Sequence, residues 1–176
     1  VSGDILLMDF GCSYSNYASD LSRTIPVSGQ YSPRQKQIYN ATLDVFKACK
    51  QMVNNNLTLF EFNNEGKKIM EHKLIEIGLL DKLDVQNQDP NNPLYRKYFP
   101  HGLSHFLGLD VHDVGNHYVK MQDNAVITNE PGIYLWDEKI GVRIENDLVI
   151  SPKGTIDLLG SCPIEAEEIE DLMSSK

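Results

Sequence analysis

The chain has 176 residues, of which 41% are hydrophobic, and it carries a formal net charge of −9 at pH 7. No apolar run approaches the roughly 20 residues that cross a membrane, and the acidic balance argues against nucleic-acid binding, so we expect a protein that binds neither. The three cysteines are widely spaced and form no CxxC pair, which indicates neither a disulfide framework nor a zinc ribbon and favours a reducing cytoplasm.

The first predicted element is a β-hairpin that carries two aspartates. Residues 4–27 contain two segments rich in the apolar, β-branched and aromatic residues that strands favour. A two-residue turn centred on Tyr14 and Ser15 would place Asp9 directly across from Asp20, with their Cβ atoms about 5 Å apart. A bulge at a neighbouring glycine would slip this register by one position.

Two helices with well-marked N-termini are predicted after the hairpin. Residues 32–35 form a capping box with proline at the first helical position, and Thr58 and Glu61 repeat the box for a second helix. Gly78 ends the second helix in the position that helix C-termini favour. The apolar stripes of both helices are predicted to be core: Ile38, Val45, Phe46, Cys49, Val53, Phe62, Ile69, Met70, Leu74 and Ile77.

The chain turns polar between residues 80 and 100, with the sequence DPNNP at its centre. This composition predicts a loop, and we expect it to rim a functional site. Three aromatic residues close the segment, Tyr95, Tyr98 and Phe99. They are either walls of a binding slot or ordinary core and surface residues.

Histidines cluster in the stretch FPHGLSHFLGLDVHDVG, which holds His101, His105 and His112. Two glycines and the run FLGLDV favour an extended or irregular segment over a helix. A lone histidine is more often packed or hydrogen-bonded than a ligand, but three of them beside several acids indicate a site. His72, on a predicted helix surface, and His117, in a polar loop, receive no role.

The second predicted hairpin repeats the arrangement of the first with two glutamates. Residues 126–150 contain two strand-like segments that flank Asp137 and Glu138. A two-residue turn there would place Glu130 opposite Glu145, unless a glycine bulge slips the register.

After Pro163 the sequence IEAEEIEDLM predicts a short acidic helix at the end of the chain. The two acid-bearing hairpins, with the helices between them, suggest an internal pseudo-repeat related by a two-fold axis. We therefore predict an α+β fold in which a curved antiparallel sheet holds the site and helices cover its outer face.

Like charges placed opposite each other on one sheet face destabilise the sheet unless something compensates them, and a bound cation is the usual compensation. Carboxylates with a single imidazole suit Mn²⁺, Co²⁺, Fe²⁺ or Zn²⁺, and shared acids suit two metals roughly 3.5 Å apart. Any one of these acids alone would more often simply face water. The candidate ligands are Asp9, Asp20, His105, Glu130 and Glu145.

Four sequence blocks in this order resemble the signatures of the pita-bread metallopeptidases: MDFG with YASDLSRT, HGLSHFLGLDVHDVG, NEPGIY and GVRIENDLVI. The similarity runs from about Leu6 to Ile150 and is greatest with aminopeptidase P and the related proline dipeptidases. It implies the pita-bread (creatinase/aminopeptidase) fold. It also implies that residues 1–176 form a C-terminal catalytic domain whose upstream part, together with any N-terminal domain, is absent.

The resemblance also implies a set of metal ligands. Asp9 matches a ligand of one metal, His105 and Glu130 match ligands of the other, and Asp20 and Glu145 match the acids that bridge them. The expected cofactors are two divalent ions, with Mn²⁺ favoured and Co²⁺, Zn²⁺ or Fe²⁺ as alternatives.

Four residues match the catalytic groups of the family. Glu130 is the expected proton shuttle, and His101 and His112 match two active-site histidines that are not ligands. Arg143 matches a basic residue beside the last bridging acid, and the two-residue spacing from Glu145 would put both on one strand face.

Three functions follow from this comparison. The first is a dinuclear metalloaminopeptidase that hydrolyses the N-terminal Xaa-Pro bond by attack of a metal-bridging hydroxide, and the second is a proline dipeptidase. The third is a metal-free module of the same fold that binds peptides or histones, which the filled ligand positions disfavour. For the first, we expect peptide substrates with proline second, a full-length parent that could form homo-oligomers, and impaired activity of the isolated segment.

Overall fold

The computed structural model describes residues 1–174. Within that range the chain forms an α+β fold whose paired strands are all antiparallel, as predicted. The strands are β1 (Ile5–Phe10), β2 (Ser13–Tyr14), β3 (Tyr17–Ala18), β4 (Leu21–Pro26), β5 (Val126–Asn129), β6 (Gly132–Leu135), β7 (Ile140–Arg143), β8 (Asn146–Val149) and β9 (Ile156–Asp157). The α-helices are α1 (Pro33–Met52), α2 (Leu59–Glu76), α3 (Lys82–Gln86) and α4 (Ala166–Ser174).

The first hairpin, built from β1 to β4, has a register that differs from the predicted one. Its turn falls at Ser15 and Asn16, whose φ angles of 50° and 65° are those that a two-residue hairpin turn requires. Asp9 consequently pairs with Ser22, so the prediction that it lies directly opposite Asp20 is wrong. Because the shift is by two residues, it preserves the alternation of side-chain faces.

The second hairpin has the predicted register. Strand β5 pairs with β8 and β6 with β7 in one continuous alignment, which runs through Glu130 and Glu145 as the predicted opposed pair. Both acids lie outside the strands and donate their backbone N–H groups elsewhere, to the carbonyls of Leu103 and Ser22. The turn has four residues, 136–139, where two were predicted, but its centre is unchanged.

The two hairpins meet at a single antiparallel bridge between Ser22 and Glu145. Arg23, which is only 6% exposed, ties this junction together. Its guanidinium donates to the backbone oxygens of Ser22, Glu145 and Pro163 and to the side chain of Asn146, at 2.7 to 2.9 Å. Arg23 therefore joins both hairpins to the chain that leads into α4.

Helices α1 and α2 begin at the predicted capping boxes. The side chains of Ser32 and Thr58 each accept the backbone N–H three residues ahead. The side chains of Gln35 and Glu61 each accept the backbone N–H of the cap residue. Gly78, with φ of +76°, follows the end of α2 as predicted. The two helices pack against each other, and α1 covers β5, β6 and β7. In residues 1–174 none of the helices combines the length and apolar character that crossing a membrane requires.

The predicted helix stripes lie in the core or at its margin. Val53 is buried in the core, as predicted. Ile69 and Ile77 are only partly buried and pack against the core. The largest fully buried side chains in the described range include Tyr39, Phe62, Phe99, Ile38, Leu59, Met70, Leu74 and Leu103.

The polar segment between residues 80 and 100 is more ordered than the predicted loop. Asp81 caps the short helix α3 by accepting the N–H groups of Leu83 and Asp84, and residues 94–97 form a 3₁₀ turn. An aspartate cap can start a helix even in a polar segment, so the polar composition alone did not predict this helix. The predicted acidic helix is present as α4, and Lys36 on α1 pairs with two of its glutamates.

Candidate metal centre

Three side chains from separate parts of the chain converge at the junction of the hairpins. Asp20, His105 and Glu145 offer ligand atoms that all lie within 4.8 Å of one another. Nε2 of His105 is 3.6 Å from Oδ2 of Asp20 and 3.4 Å from Oε1 of Glu130. The structure thus brings together four of the five predicted ligands.

The hydrogen bonds of His105 fix which of its nitrogens faces the acids. Its Nδ1 lies 2.9 Å from the carbonyl oxygen of Phe106, and since a carbonyl only accepts, Nδ1 carries the proton. Burial lowers the pKa of His105, which favours the neutral ring. Nε2 then presents a lone pair to the carboxylates of Asp20 and Glu130, and metal-binding histidines are commonly held in this way.

Glu145 lies 2% exposed at the centre of the cluster. The hydroxyl of Ser22 donates to its Oε2 at 2.6 Å, whereas its Oε1 is buried with no hydrogen-bond partner among the described residues. Burial, with a further contribution from Glu130, raises the pKa of Glu145 to about 8. One oxygen of this carboxylate is therefore held in place and the other is free to bind a cation.

The other acids of the cluster are only partly compensated by their neighbours. Burial raises the pKa of Glu130 to about 7, although the hydroxyl of Thr128 donates to its Oε1 at 3.2 Å. The pKa of Asp20 is raised by burial and then by the charge of Asp9. Negative charge that is costly in the protein alone is the condition that a bound cation relieves.

Asp9 lies outside the group formed by Asp20, His105 and Glu145. Its side chain is 55% exposed, and its Oδ2 contacts Nη2 of Arg143. Arg143 also donates from Nε to the Ser22 hydroxyl at 2.8 Å, and the same Nε is 3.7 Å from Oε2 of Glu145. Arg143 therefore links Asp9 to the centre, and it shares a face with Glu145 as its spacing predicted.

The two remaining predicted histidines occupy different positions. His101 has Nδ1 2.7 Å from the carbonyl of Gly102, so Nδ1 donates and Nε2 accepts from the Tyr134 hydroxyl at 2.8 Å. Its Nδ1 is 3.7 Å from Oε2 of Glu130, and burial lowers its pKa. His112 is exposed, with its ring packed edge-on against that of His105 at 4.4 Å between centroids.

Three residues of the site escaped the sequence analysis: Ser22, Tyr134 and Asp147. Ser22 orients Glu145, and Asp147 accepts the backbone N–H of Asp20 at 3.1 Å. Tyr134 accepts from Arg143 at 3.3 Å and donates to His101. Ser22 and Asp147 each lie two residues beyond a predicted ligand, and this strand spacing could have identified them.

The donor set suits a metal centre. Carboxylate oxygens and one neutral imidazole nitrogen bind Mn²⁺, Co²⁺, Fe²⁺ or Zn²⁺. Oε1 of Glu145 has no hydrogen-bond partner among the described residues, and Nε2 of His105 faces the carboxylates of Asp20 and Glu130, so a cation bound among these acceptors would satisfy them.

Comparison with known proteins agrees with this centre. Residues 1–152 match the model of metallopeptidase family M24. The chain is 39% identical over 186 residues to the Xaa-Pro aminopeptidase of Escherichia coli (strain K12), covering 97% of this chain and 41% of that protein. It is 34% identical over 183 residues to Xaa-Pro aminopeptidase 3 of Homo sapiens, covering 98% of this chain and 36% of the human protein. The chain thus spans about two fifths of the length of these relatives.

A solved structure confirms the predicted pita-bread fold. Zinc-substituted aminopeptidase P of E. coli, in complex with product, superposes with a TM-score of 0.86 at 37% identity. The superposition covers 98% of this chain and 41% of that one.

Proposed function

Because the chain belongs to metallopeptidase family M24, we propose that it carries the metal centre of an aminopeptidase that hydrolyses the bond between an N-terminal residue and proline. In this proposal residues 1–176 form the catalytic part of the protein. The observation that carries it is the convergence of Asp20, His105 and Glu145, with Glu130 beside them. The similar Xaa-Pro aminopeptidases of E. coli and Homo sapiens support the substrate class.

We assign the predicted ligands to two divalent ions, with Mn²⁺ favoured. Glu145 would offer its free Oε1, and His105 would offer Nε2. Asp20 and Glu130 complete the cluster, and Asp9 would bind through the oxygen that Arg143 does not occupy. When bound, the ions would supply an activated water at neutral pH and a positive charge that polarises the scissile carbonyl.

Glu130 is assigned the transfer of a proton to the leaving nitrogen. One of its oxygens lies 3.4 Å from His105 and the other 3.7 Å from His101, so the carboxyl group spans the space between the metal-binding side and the substrate side. Thr128 holds Oε1 through a hydrogen bond of 3.2 Å, which limits rotation of the group. A positioned acid of this kind contributes about 10² to 10⁴ in rate.

The hydrogen-bonded series Arg143, Tyr134 and His101 is assigned the orientation of the substrate. Arg143 donates to the Tyr134 hydroxyl, which donates in turn to Nε2 of His101. Each group fixes the rotamer of the next, and the fixed charge of Arg143 faces the centre. Such preorganised donors stabilise negative charge that develops on a substrate carbonyl. His112, whose exposed ring packs against the ring of His105, is assigned to the same substrate-orienting side of the centre.

The proposal is tested with a metal-loaded protein that contains this chain. We expect release of the first residue from the tripeptide Ala-Pro-Leu. Turnover of Ala-Pro-Leu distinguishes the aminopeptidase from a dipeptidase, which would cleave only Ala-Pro. A protein that binds metal but cleaves neither peptide would overturn both peptidase proposals.

A variant of Glu130 tests its assignment to the proton transfer. Glu130→Gln should lower kcat at least about 10²-fold, because the proton carrier is lost. Glu138→Gln is the matched control, since Glu138 is an exposed glutamate in the turn of the same hairpin and pairs with Arg34 of α1. Undiminished kcat in Glu130→Gln with metals bound would contradict the role of Glu130.

A further inference from the structure

We propose that a basic groove beside the metal centre binds the C-terminal carboxylate of a short peptide. The inference rests on the proposed function and extends it to the far end of the substrate. The groove encloses about 370 Å³ and is lined by residues that include Lys67, Tyr95, Arg96, Phe99, His101 and Gly102.

The groove and the metal centre share His101. This histidine lines the groove, and its Nδ1 lies 3.7 Å from Oε2 of Glu130 in the centre. A peptide whose scissile bond lies at Glu130 therefore passes His101 before it reaches the groove. We place the leaving portion of the substrate in that direction, because it ends in a carboxylate and the groove carries Lys67 and Arg96.

Lys67 is directed to the groove by its position on α2. One turn earlier, Asn63 accepts the N–H groups of Leu103 and Ser104 and donates to the Ser104 carbonyl. Residues four apart on a helix share a face, so Lys67 projects beside the same histidine segment. Gly66 allows the helix to approach this segment closely, because a Cβ at that position would lie 2.1 Å from the Leu103 side chain.

Arg96 enters the groove from the 3₁₀ turn at residues 94–97. That turn packs on α2, and its following residue Tyr98 accepts the backbone N–H of Tyr134 at 2.9 Å. The segment that carries Arg96 is thereby fixed both to the helix of Lys67 and to the strand of Tyr134. The two cations are presented by anchored elements.

The charges in the groove are unbalanced. Within residues 1–174, neither Lys67 Nζ nor the Arg96 guanidinium has a hydrogen-bond or ion-pair partner, and no acidic residue lines the groove. Lys67 is half-buried, and burial together with the charge of Arg96 lowers its pKa. In a chain with a net charge of −9, two adjacent unpaired cations at the edge of a site favour an anionic ligand.

A peptide carboxylate fits this arrangement better than a larger anion. The apolar walls Tyr95 and Pro100 suit the side chain of the residue after proline, and the two cations suit the carboxylate that follows it. Two residues extend at most about 7 Å, so only a short leaving peptide places its terminus in the groove. The groove would therefore favour tripeptides over long substrates.

The test uses the product dipeptide Pro-Leu, which occupies the leaving side and has no Xaa-Pro bond to cleave. Isothermal titration calorimetry of the metal-loaded protein should show about tenfold tighter binding of Pro-Leu than of Pro-Leu amide. Lys67→Met, which retains the aliphatic stem, and Arg96→Gln should each reduce this preference to about twofold or less. Lys67→Arg should preserve it.

Two neighbouring lysines provide controls with the same change of net charge. Lys68→Gln alters an exposed residue of α2 that pairs with Glu65, and Lys97→Gln alters the residue after Arg96. Both should keep the preference for the free acid.

Equal affinity for Pro-Leu and its amide, the absence of binding, or the same loss in the control variants would overturn the inference. Displacement of Pro-Leu by inorganic phosphate at equal concentration would also overturn it, in favour of a general anion site. Hydrolysis of Ala-Pro-Leu is measured separately. Its failure would refute the proposed function whatever the groove binds.

Discussion

Ser22 is a single buried hydroxyl on which two charged side chains depend. It donates to Glu145 and accepts from Arg143, so it sets the orientation of a predicted bridging acid and of the nearest cation. Without the Ser22 hydroxyl, neither oxygen of Glu145 would be held in place, and Arg143 would compete with a bound metal for both oxygens.

Replacing Ser22 with alanine should weaken metal binding by about 10-fold to 100-fold, the usual effect of removing a group that orients a metal ligand. Ser22→Thr keeps the hydroxyl and should stay close to the wild type. The measurement is competition for Mn²⁺ with a chelating dye. Ser28→Ala, which removes an exposed hydroxyl, is the control. Unchanged affinity in Ser22→Ala would show that Glu145 is oriented by other contacts.

Arg23, the residue after Ser22, the hairpin partner of Asp9, has a structural role. Its planar guanidinium reaches four oxygens at once, which a lysine ammonium cannot match in geometry. We expect Arg23→Lys to lower the free energy of unfolding by about 3 kcal/mol, because buried acceptors lose their donors.

Urea denaturation of the two arginine variants measures this difference. Arg34→Lys serves as the control, since Arg34 forms a surface ion pair with Glu138 and should change stability by less than about 1 kcal/mol. Similar midpoints for the two variants would mean that the oxygens around Arg23 are satisfied in another way.

At the level of elements, α2 holds the histidine segment in place. The Asn63 side chain makes three hydrogen bonds to the backbone of Leu103 and Ser104, which lie between the two site histidines. On its other side the same segment bonds to β5, where Thr128 donates its backbone N–H to the His105 carbonyl and Leu107 donates to the Val126 carbonyl, so the helix and the strand hold it together.

Asn63→Ala should cost about 2 kcal/mol of stability, because it leaves buried backbone groups unpaired. It should also speed amide hydrogen exchange in residues 101–108 more than elsewhere. Asn64→Ala, one position along the same helix, is the matched control. Exchange that rises evenly along the chain would instead indicate a general loss of stability.

The elements that local sequence determines were predicted well. The capping boxes at Ser32 and Thr58 depend on four consecutive residues, and both helices begin there. The first hairpin was misplaced by two residues because Asn16, rather than Tyr14, adopts the left-handed conformation of the turn. The helix α3 was missed because its cap, Asp81, lies in a polar segment with no apolar stripe.

The candidate site could be predicted only as a set of ligands. Acids and histidines are visible in the sequence, whereas the bond between Ser22 and Glu145 depends on packing between residues 123 positions apart. The position of Asp9 beside Arg143 and the link through Tyr134 depend on the same long-range packing. No local pattern encodes these contacts.

For the molecule as a whole, the cluster of acids couples stability to metal. An ion that binds only the folded state at 100 times its Kd adds about 2.7 kcal/mol. For a domain of this length that corresponds to a rise in Tm of about 5 to 10 °C. Thermal unfolding with Mn²⁺ and with a chelator measures the difference.

A neutral substitution at the centre should remove this dependence of Tm on metal. Glu145→Gln should abolish the rise in Tm with Mn²⁺ but leave the metal-free protein at least as stable as the wild type, because the cost of burying an ionisable carboxyl group is removed. Glu65→Gln, on the surface of α2, should retain the rise. A persistent Mn²⁺ effect in Glu145→Gln would place the ion elsewhere.

The bridge between Ser22 and Glu145 also orders events in time. Closing so wide a span costs chain entropy that only late tertiary contacts repay, so the two halves of the cluster meet near the end of folding. During translation, the first hairpin leaves the ribosome long before the glutamate that completes the cluster has been added. Ion capture would therefore mark the final stage of maturation, and a prematurely terminated product would keep its aspartates but never acquire a cofactor.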